Sequence, residues 1–101
     1  MALFLSENDV KQVLTVEMAL AAVESAHRDL ALGQALDTPR QRSRLPQTVL
    51  HILQGALPAQ GVMGYKAYTS NKSGNRFLVH LFDAATGQHK AVIEADFLGM
   101  M

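Results

Sequence analysis

Three arginines, Arg40, Arg42 and Arg44, occupy alternate positions in the segment between Thr38 and Leu45. Because side chains alternate between the two faces of a strand, an extended chain would place all three guanidinium groups on one face. Like charges on one face repel each other unless solvent, acidic groups or a bound anion lies against them. Guanidinium groups bind carboxylate and phosphate through two parallel hydrogen bonds. The spacing therefore indicates either an anion site or a solvated edge strand whose basic residues hinder aggregation.

A single lysine, Lys66, interrupts the otherwise apolar segment Gly64–Tyr68. By alternation it shares a face with Val62, Gly64 and Tyr68, and Gly64 would allow a ligand to approach the backbone closely. Burying an unpaired ammonium group is costly, so Lys66 either extends that group into solvent or pairs it with an anion. If the arginines lie on the same sheet face, a carboxylate could bind between them and Lys66. The spacing alone does not decide between these alternatives.

No recognisable catalytic group or cofactor site is predicted within the sequence. Its four histidines lack metal-ligand spacing, and His51 and His80 are expected to be hydrogen-bonded strand residues. The serines lack the sharp strand-to-helix turn of an activated nucleophile. There is no G-x-G-x-x-G segment or P-loop to hold a dinucleotide or a phosphate.

The composition predicts one globular domain. The chain has 101 residues, a formal net charge of zero, 49% hydrophobic residues and no cysteine. A neutral charge balance argues against a general nucleic-acid or membrane-surface partner. No signal peptide or apolar segment long enough to span a membrane is predicted, and the lack of cysteine suits a reducing compartment, so we expect a cytoplasmic protein.

The order of predicted elements indicates an α+β domain. Ser6 and Thr15 are expected to cap a short helix and a longer one that ends near Leu32–Gly33. Val16, Leu20, Val23 and Leu30, joined by Ala19 and Ala26, form the apolar stripe of the longer helix. Strands without intervening helices predict an antiparallel or mixed sheet with the helices packed on one face. Pro46–Gln47 is predicted to form a tight hairpin turn between two of these strands. The predicted strands are Ala2–Leu5, Arg40–Leu45, Thr48–Leu53, Gly61–Thr69, Phe77–Phe82 and His89–Ala95.

The end of the sequence predicts the start of another helix. Asp96 is a candidate N-cap, yet only five residues follow it, and most of them are large and apolar. A helix of that length is barely nucleated. We therefore expect residues 1–95 to form the domain, and residues 96–101 to begin a helix that continues into a further domain.

Taken in order, these segments resemble the N-terminal domain of the ornithine cyclodeaminase/μ-crystallin family of NAD(P)-dependent enzymes. Each segment is weak evidence singly, but together they cover nearly the whole chain. The segments that carry the resemblance are Leu5–Val10, Leu32–Gln34, Thr38–Arg42, Val49–His51, Gly64–Lys66, Leu81–Gly87 and Glu94–Asp96.

The resemblance implies a substrate-binding and dimerisation domain without the Rossmann domain that holds NAD or NADP. Arg40 and Lys66 match family residues that contact the substrate carboxylate, and Arg42 is a secondary candidate. A third carboxylate-binding arginine, the acidic group that acts on the substrate amine and every dinucleotide contact would lie beyond Met101. The implied partners are an amino-acid or imino-acid substrate and a second copy in a homodimer.

Two functional hypotheses follow. In the first, the chain belongs to an ornithine cyclodeaminase-like oxidoreductase that transfers hydride between the substrate Cα and nicotinamide, and residues 1–101 alone are inactive. In the second, it is a non-enzymatic α+β module that binds a small carboxylate or a protein partner. Leu53–Ala56 departs from the Met-Pro-Ala of many family members, and the turn at Ser70–Asn75 is shorter than in many, so the sequence does not select a substrate.

Overall fold

One sheet of six strands organises the chain, in the order β1-β6-β5-β4-β3-β2. The computed structural model describes the backbone of residues 2–100 and the side chains of residues 2–98. Met101 and the side chain of Met100, part of the apolar end noted in the sequence, lie outside this description. The elements are β1 (Leu3–Leu5), α1 (Glu7–Val13), α2 (Val16–Ala31), β2 (Leu36–Arg44), β3 (Val49–Leu57), a 3-10 turn (Pro58–Gln60), β4 (Val62–Asn71), β5 (Gly74–Asp83), β6 (His89–Glu94) and α3 (Asp96–Met100).

Strand pairing confirms the α+β class. Strands β2 to β6 pair antiparallel with their neighbours, and β1 pairs parallel with β6. Within residues 2–100 this is the one parallel pair, so the described part of the chain is not a Rossmann domain, whose sheet is mostly parallel.

Strands β2 to β5 are longer than the sequence predicts, whereas β1 and β6 are each one residue shorter. β2 begins at Leu36 because the sheet accommodates Pro39 on its edge, where the ladder register shifts between Thr38 and Gln41. β4 and β5 pair as far as Asn71 and Gly74. Asn71 Oδ1 accepts a 2.8 Å hydrogen bond from the Ser73 N–H, and Gly74 has a φ of 111°. The segment predicted as a loop is therefore a tight hairpin turn.

The helix starts agree with the sequence. Ser6 Oγ accepts from the Asp9 N–H, and Asp9 accepts from the Ser6 N–H, forming a capping box. Thr15 Oγ1 accepts from the Met18 N–H. α2 ends before Gly33, whose φ of 73° is the left-handed conformation that glycine adopts readily.

The start of α3 differs from the prediction. Asp96 is the first residue of α3, and its carboxylate accepts from the Phe77 N–H on β5 at 3.0 Å. The Phe97 N–H instead donates to the carboxylate of Glu7, and the Glu7 N–H donates to Glu94 Oε1 at 2.8 Å. α1 and α3 are thus tied to each other and to β6 by carboxylates that accept from helical N–H groups.

We define two faces of the sheet by the cross-strand register. The helix face carries Leu53, Lys66, Val79 and Ile93, which lie opposite one another on β3 to β6. α1 lies over its β6 end, and a cavity of about 400 Å³ separates α2 from its centre. The open face is the other side. It carries the exposed apolar side chains of Phe4, Leu50, Ile52, Met63 and Leu78.

The apolar stripe predicted for α2 is not buried. Leu20 is 65% exposed, and Val16, Val23 and Leu30 are exposed as well. Ala19 and Ala26, the small members of the stripe, are half-buried, together with Ser25 and Asp29. Among the residues whose side chains are described, the buried apolar ones are Val10, Ala91 and Ala95, so the tightest packing lies where α1, β6 and α3 meet. In the described chain, no helix is long and apolar enough to span a membrane.

Candidate functional site

A row of side chains crosses four strands on the helix face. Arg42, His51, Tyr68 and Phe77 lie opposite one another on β2, β3, β4 and β5. The rings of His51 and Tyr68 stack with their centroids 4.3 Å apart and an interplanar angle of 6°. The centroids of Tyr68 and Phe77 are 4.5 Å apart. The row is a continuous aromatic surface with a guanidinium group at its outer end.

Lys66 lies in the neighbouring row, two residues before Tyr68 on the same strand. Its side chain is half-buried, and its Nζ lies 5.7 Å from the centroid of Tyr68 and 5.4 Å from that of Phe77. The negative faces of the two rings attract the ammonium group. Three Nζ protons remain to be satisfied, and the structure gives Lys66 no hydrogen-bonded carboxylate in its described residues. The ammonium group is thus held in place without being neutralised.

The register places Arg40 close to the Lys66 row. Thr38 lies opposite Gln54 and Gln41 opposite Ile52, so the bulge containing Arg40 faces Leu53. Leu53 in turn lies opposite Lys66. Since neighbouring strands lie roughly 4.8 Å apart, the backbones of Arg40 and Lys66 are about 10 Å apart. Both side chains are long enough to reach one carboxylate placed between them.

The three arginines act together on His51. Partial burial lowers the pKa of His51, and the positive charges of Arg42, Arg40 and Arg44 lower it further, in that order. All three guanidinium groups therefore lie near enough to one ring to disfavour its protonation. This agrees with the expectation that alternate residues of β2 project to one face. Arg44 lies farthest along the strand, opposite Val49 near the hairpin turn.

Lys66 and the three arginines of β2 form no ion pair with an acidic side chain among the described residues. The one ion pair found there joins Arg28 to Glu24 on α2. Glu7, Glu94 and Asp96 accept hydrogen bonds from backbone N–H groups instead. Asp37 lines the same cavity as Lys66 at the β2 edge, without an ion pair to it. The arrangement leaves a positive region able to bind an anion.

Gly64 serves a different purpose from the one the sequence suggested. A Cβ atom at Gly64 would collide with the backbone carbonyl oxygen of His80 on the adjacent strand. The same is true to a lesser degree at Gly55, opposite Gly64, where a Cβ would lie 2.9 Å from the Leu36 carbonyl oxygen. The missing side chains thus let neighbouring strands approach each other, whereas the sequence suggested that Gly64 would allow a ligand to approach the backbone.

His51 was assigned no functional role in the sequence analysis. Arg42 Nε–H donates a 3.1 Å hydrogen bond to His51 Nδ1, and His51 Nε2 lies 2.9 Å from Ser70 Oγ. The signal was present in the predicted hairpin at Pro46–Gln47, since pairing outward from that turn places Arg42 opposite His51. His80, in contrast, lies on the open face, stacked on Tyr65 at 4.7 Å and 3.3 Å from the ring nitrogen of His89.

The described residues do not offer a site for a metal or a dinucleotide. No group of three or more potential metal ligands occurs among them. The hairpin turns and the helix starts lack the glycine-rich strand–turn–helix that holds a pyrophosphate.

Solved structures with the same fold come from amino-acid and imino-acid enzymes. A probable ornithine cyclodeaminase from Bordetella pertussis Tohama I superposes with a TM-score of 0.92 and 29% identity, over 98% of this chain and 32% of that one. An archaeal alanine dehydrogenase dimer with bound NAD gives 0.89 and 26%, over 96% and 32%. The NAD⁺ complex of the iminosuccinate reductase of Paracoccus denitrificans gives 0.90 and 23%, over 96% and 33%.

The comparisons support the resemblance at the level of the fold. This chain has the fold of one domain of the ornithine cyclodeaminase/μ-crystallin family. The solved structures that share this fold with the chain include NAD-bound enzymes. It spans about a third of the length of those chains. No protein-family model and no curated protein sequence matches it.

Proposed function

We propose that this chain is the substrate-binding domain of an NAD(P)-dependent amino-acid or imino-acid oxidoreductase of the ornithine cyclodeaminase type. The observation that carries the proposal is the half-buried ammonium group of Lys66. It is held over two aromatic rings, beside a row of arginines, with no acidic partner in the described part of the chain. Such a group is arranged to receive an anion. We take that anion to be the α-carboxylate of an amino acid or imino acid, and the amino-acid and imino-acid enzymes among the solved structures with this fold support that choice.

In this proposal Arg40 and Lys66 hold the two carboxylate oxygens, with Arg42 as a secondary ligand. A bidentate guanidinium fixes the plane of the carboxylate, and the ammonium group adds a point charge from the other side. Together they orient the substrate Cα–H, which is a contribution of position. The dinucleotide, when bound, supplies the hydride chemistry. The residues of this chain bind the substrate carboxylate and orient the substrate.

The proposal extends to the rest of the protein. Residues 1–95 would form the substrate-binding and dimerisation domain, and α3 would lead toward an NAD- or NADP-binding domain. The NAD-bound neighbours and the one-third coverage of their chains support this organisation. The exposed apolar side chains of the open face support a homodimer formed through that face.

The proposal is tested by kinetics of the full-length protein that contains this chain. Reduction of NAD and NADP would be followed with L-ornithine, L-alanine and L-proline. For the amino acid that is oxidised, Arg40→Ala or Lys66→Ala should each lower kcat/KM by roughly 10- to 150-fold, since a hydrogen bond to a charged group contributes about 1.5–3 kcal/mol.

Arg44→Ala is the matched control. Arg44, exposed as Arg40 is, lies at the far end of β2 beside the β2–β3 turn, opposite Val49. At that distance along the strand it should not share the carboxylate, and an exposed ionic contact contributes at most about 1 kcal/mol, so its loss should cost less than about fivefold. The affinity for the dinucleotide should stay unchanged in all three variants. Equal losses at Arg40 and Arg44, or full activity without Lys66, would refute the site. A full-length protein that binds no dinucleotide would instead favour a non-enzymatic carboxylate-binding module.

A further inference from the structure

One part of the Arg42 guanidinium group is hydrogen-bonded within the protein, and the other part is available to a ligand. Its Nε–H donates to His51 Nδ1 at 3.1 Å, while its two Nη groups have no acidic partner in the described residues. A guanidinium group bound through Nε keeps its terminal N–H groups available for a carboxylate. Arg42 is itself exposed on an edge strand, where an unrestrained arginine would sample many rotamers. His51 is therefore what limits its direction.

The ring of His51 is fixed by contacts on three sides. Its plane stacks on Tyr68 with an angle of 6°. Nδ1 accepts from Arg42, so that nitrogen carries no proton in the neutral ring. Nε2 then carries the proton and donates it to Ser70 Oγ, 2.9 Å away. The hydrogen bonds thus select one tautomer, and partial burial together with the neighbouring arginines lowers the pKa of the ring.

We infer that His51 is a positioning residue of the anion site, which holds Arg42 with its terminal N–H groups directed at the substrate carboxylate. Ser70 holds His51 in the required tautomer, and Tyr68 holds its plane while also lying beneath the ammonium group of Lys66. One aromatic row thereby orients both cations of the site. This inference rests on the proposed carboxylate-binding function and adds a residue that the sequence analysis left among ordinary strand histidines.

Two substitutions separate the hydrogen bond from the ring stack. His51→Phe keeps an aromatic ring on Tyr68 and removes the acceptor for Arg42. His51→Asn places an amide oxygen near the position of Nδ1 and removes the ring. In the full-length enzyme, with whichever of L-ornithine, L-alanine and L-proline is oxidised, we expect His51→Phe to raise KM roughly 3- to 10-fold with little change in kcat. His51→Asn should stay within about twofold of the unaltered protein.

The decisive readout is the dependence on Arg42. If His51 acts through Arg42, then His51→Phe should have no further effect on KM in a protein that already carries Arg42→Ala. Should His51→Phe fail to fold, Ser70→Ala carries the same test, because it removes the partner of His51 Nε2 and leaves Arg42 unaltered. It should then raise KM, with no further effect in a protein that already carries Arg42→Ala. Nitrogen-15 NMR of the histidine ring should also show the proton on Nε2.

Additive effects of His51→Phe and Arg42→Ala, or a proton on Nδ1, would overturn the inference. An unchanged KM in His51→Phe, together with a raised KM in Lys66→Ala, would overturn it while leaving the proposed function intact. A full-length protein that oxidises and binds none of the three amino acids would contradict the proposed function, and the role of His51 with it.

Discussion

At the scale of single residues, the site depends on how cations are held without being neutralised. Lys66 lies over Tyr68 and Phe77, and Arg42 donates to a neutral histidine. A carboxylate partner in either place would have occupied the charge permanently. Rings and a neutral imidazole fix the positions of the cations while leaving their charge available. This is the physical basis for assigning the region to an anionic ligand.

The pKa of His51 reports directly on the arginine row. Arg44→Ala removes one of three positive charges that lower this pKa, so we expect the pKa to rise toward its ordinary value. Arg42→Ala should raise it further, since Arg42 is the largest of the three electrostatic contributions. An NMR titration of the His51 ring protons measures both shifts. Arg28→Ala, on α2, is the control and should leave the pKa unchanged; a shift there of equal size would contradict the assignment.

The same lowered pKa predicts how stability depends on pH. The folded state holds fewer protons on His51 than the unfolded state does, so stability from this group is present above pH of about 6.5 and is lost as the pH falls through the folded-state pKa. Urea unfolding of the full-length protein at pH values on both sides of that range should show the loss. In His51→Asn, the difference in the free energy of unfolding between the two pH values should be smaller than in the unaltered protein. An unchanged difference would show that groups other than His51 cause the pH dependence.

At the scale of elements, the hairpins decide what can be predicted. The Pro46–Gln47 turn follows from the sequence, and it fixes the pairing of Arg42 with His51 and of Arg44 with Val49. The second hairpin is harder to derive, because the turn of Lys72 and Ser73 lies within a longer polar segment. The pairing of Lys66 with Leu53 and Val79 therefore required the structure.

For the helices, the first residues can be predicted from the sequence, but the side that becomes buried cannot. Caps at Ser6 and Thr15 are local features, so the starts of α1 and α2 follow from the sequence. The exposure of the α2 stripe does not, because it depends on where the helix stands relative to the sheet. The prediction that Asp96 is the N-cap of α3 was wrong because it considered only local contacts. The Asp96 carboxylate accepts from the N–H of Phe77, a strand residue 19 positions away along the chain.

The close approach of β4 and β5 at Gly64 gives a prediction about stability. Gly64→Ala would place a methyl group against the His80 carbonyl oxygen, which belongs to the backbone and cannot move aside easily. We expect the free energy of unfolding to decrease by about 1–3 kcal/mol. Thr69→Ala, at an exposed position of the same strand, should change it by less than about 0.5 kcal/mol. Equal effects in urea unfolding would refute the steric explanation.

At the scale of the whole molecule, the two faces of the sheet carry different kinds of side chain. The helix face holds the basic and aromatic row, and the open face presents exposed apolar side chains with a stacked ladder of Tyr65, His80 and His89. Apolar surface of this kind indicates contact with another protein surface. A homodimer through the open face would leave the anion site on the other side of the sheet free for substrate.

The dimer proposal predicts a change in mass. Ile52→Arg introduces a charge at the centre of the open face, where burying it without a partner is unfavourable. We expect light scattering to report a dimer for the unaltered full-length protein and a monomer for this variant. Leu20→Arg is the control, since Leu20 is 65% exposed on α2, on the helix side of the sheet, and it should remain dimeric. A dimer in both variants would place the interface elsewhere.

The most direct test of the carboxylate site is a crystal structure of the full-length protein with its dinucleotide and the amino acid that it oxidises. Our account predicts one carboxylate oxygen within about 3.2 Å of Lys66 Nζ and the other within the same distance of the Arg40 guanidinium group. The terminal N–H groups of Arg42 should point to the same carboxylate. An amino acid whose carboxylate is bound away from the helix face, with Lys66 still over Tyr68 and Phe77 and in contact with no ligand, would contradict the account.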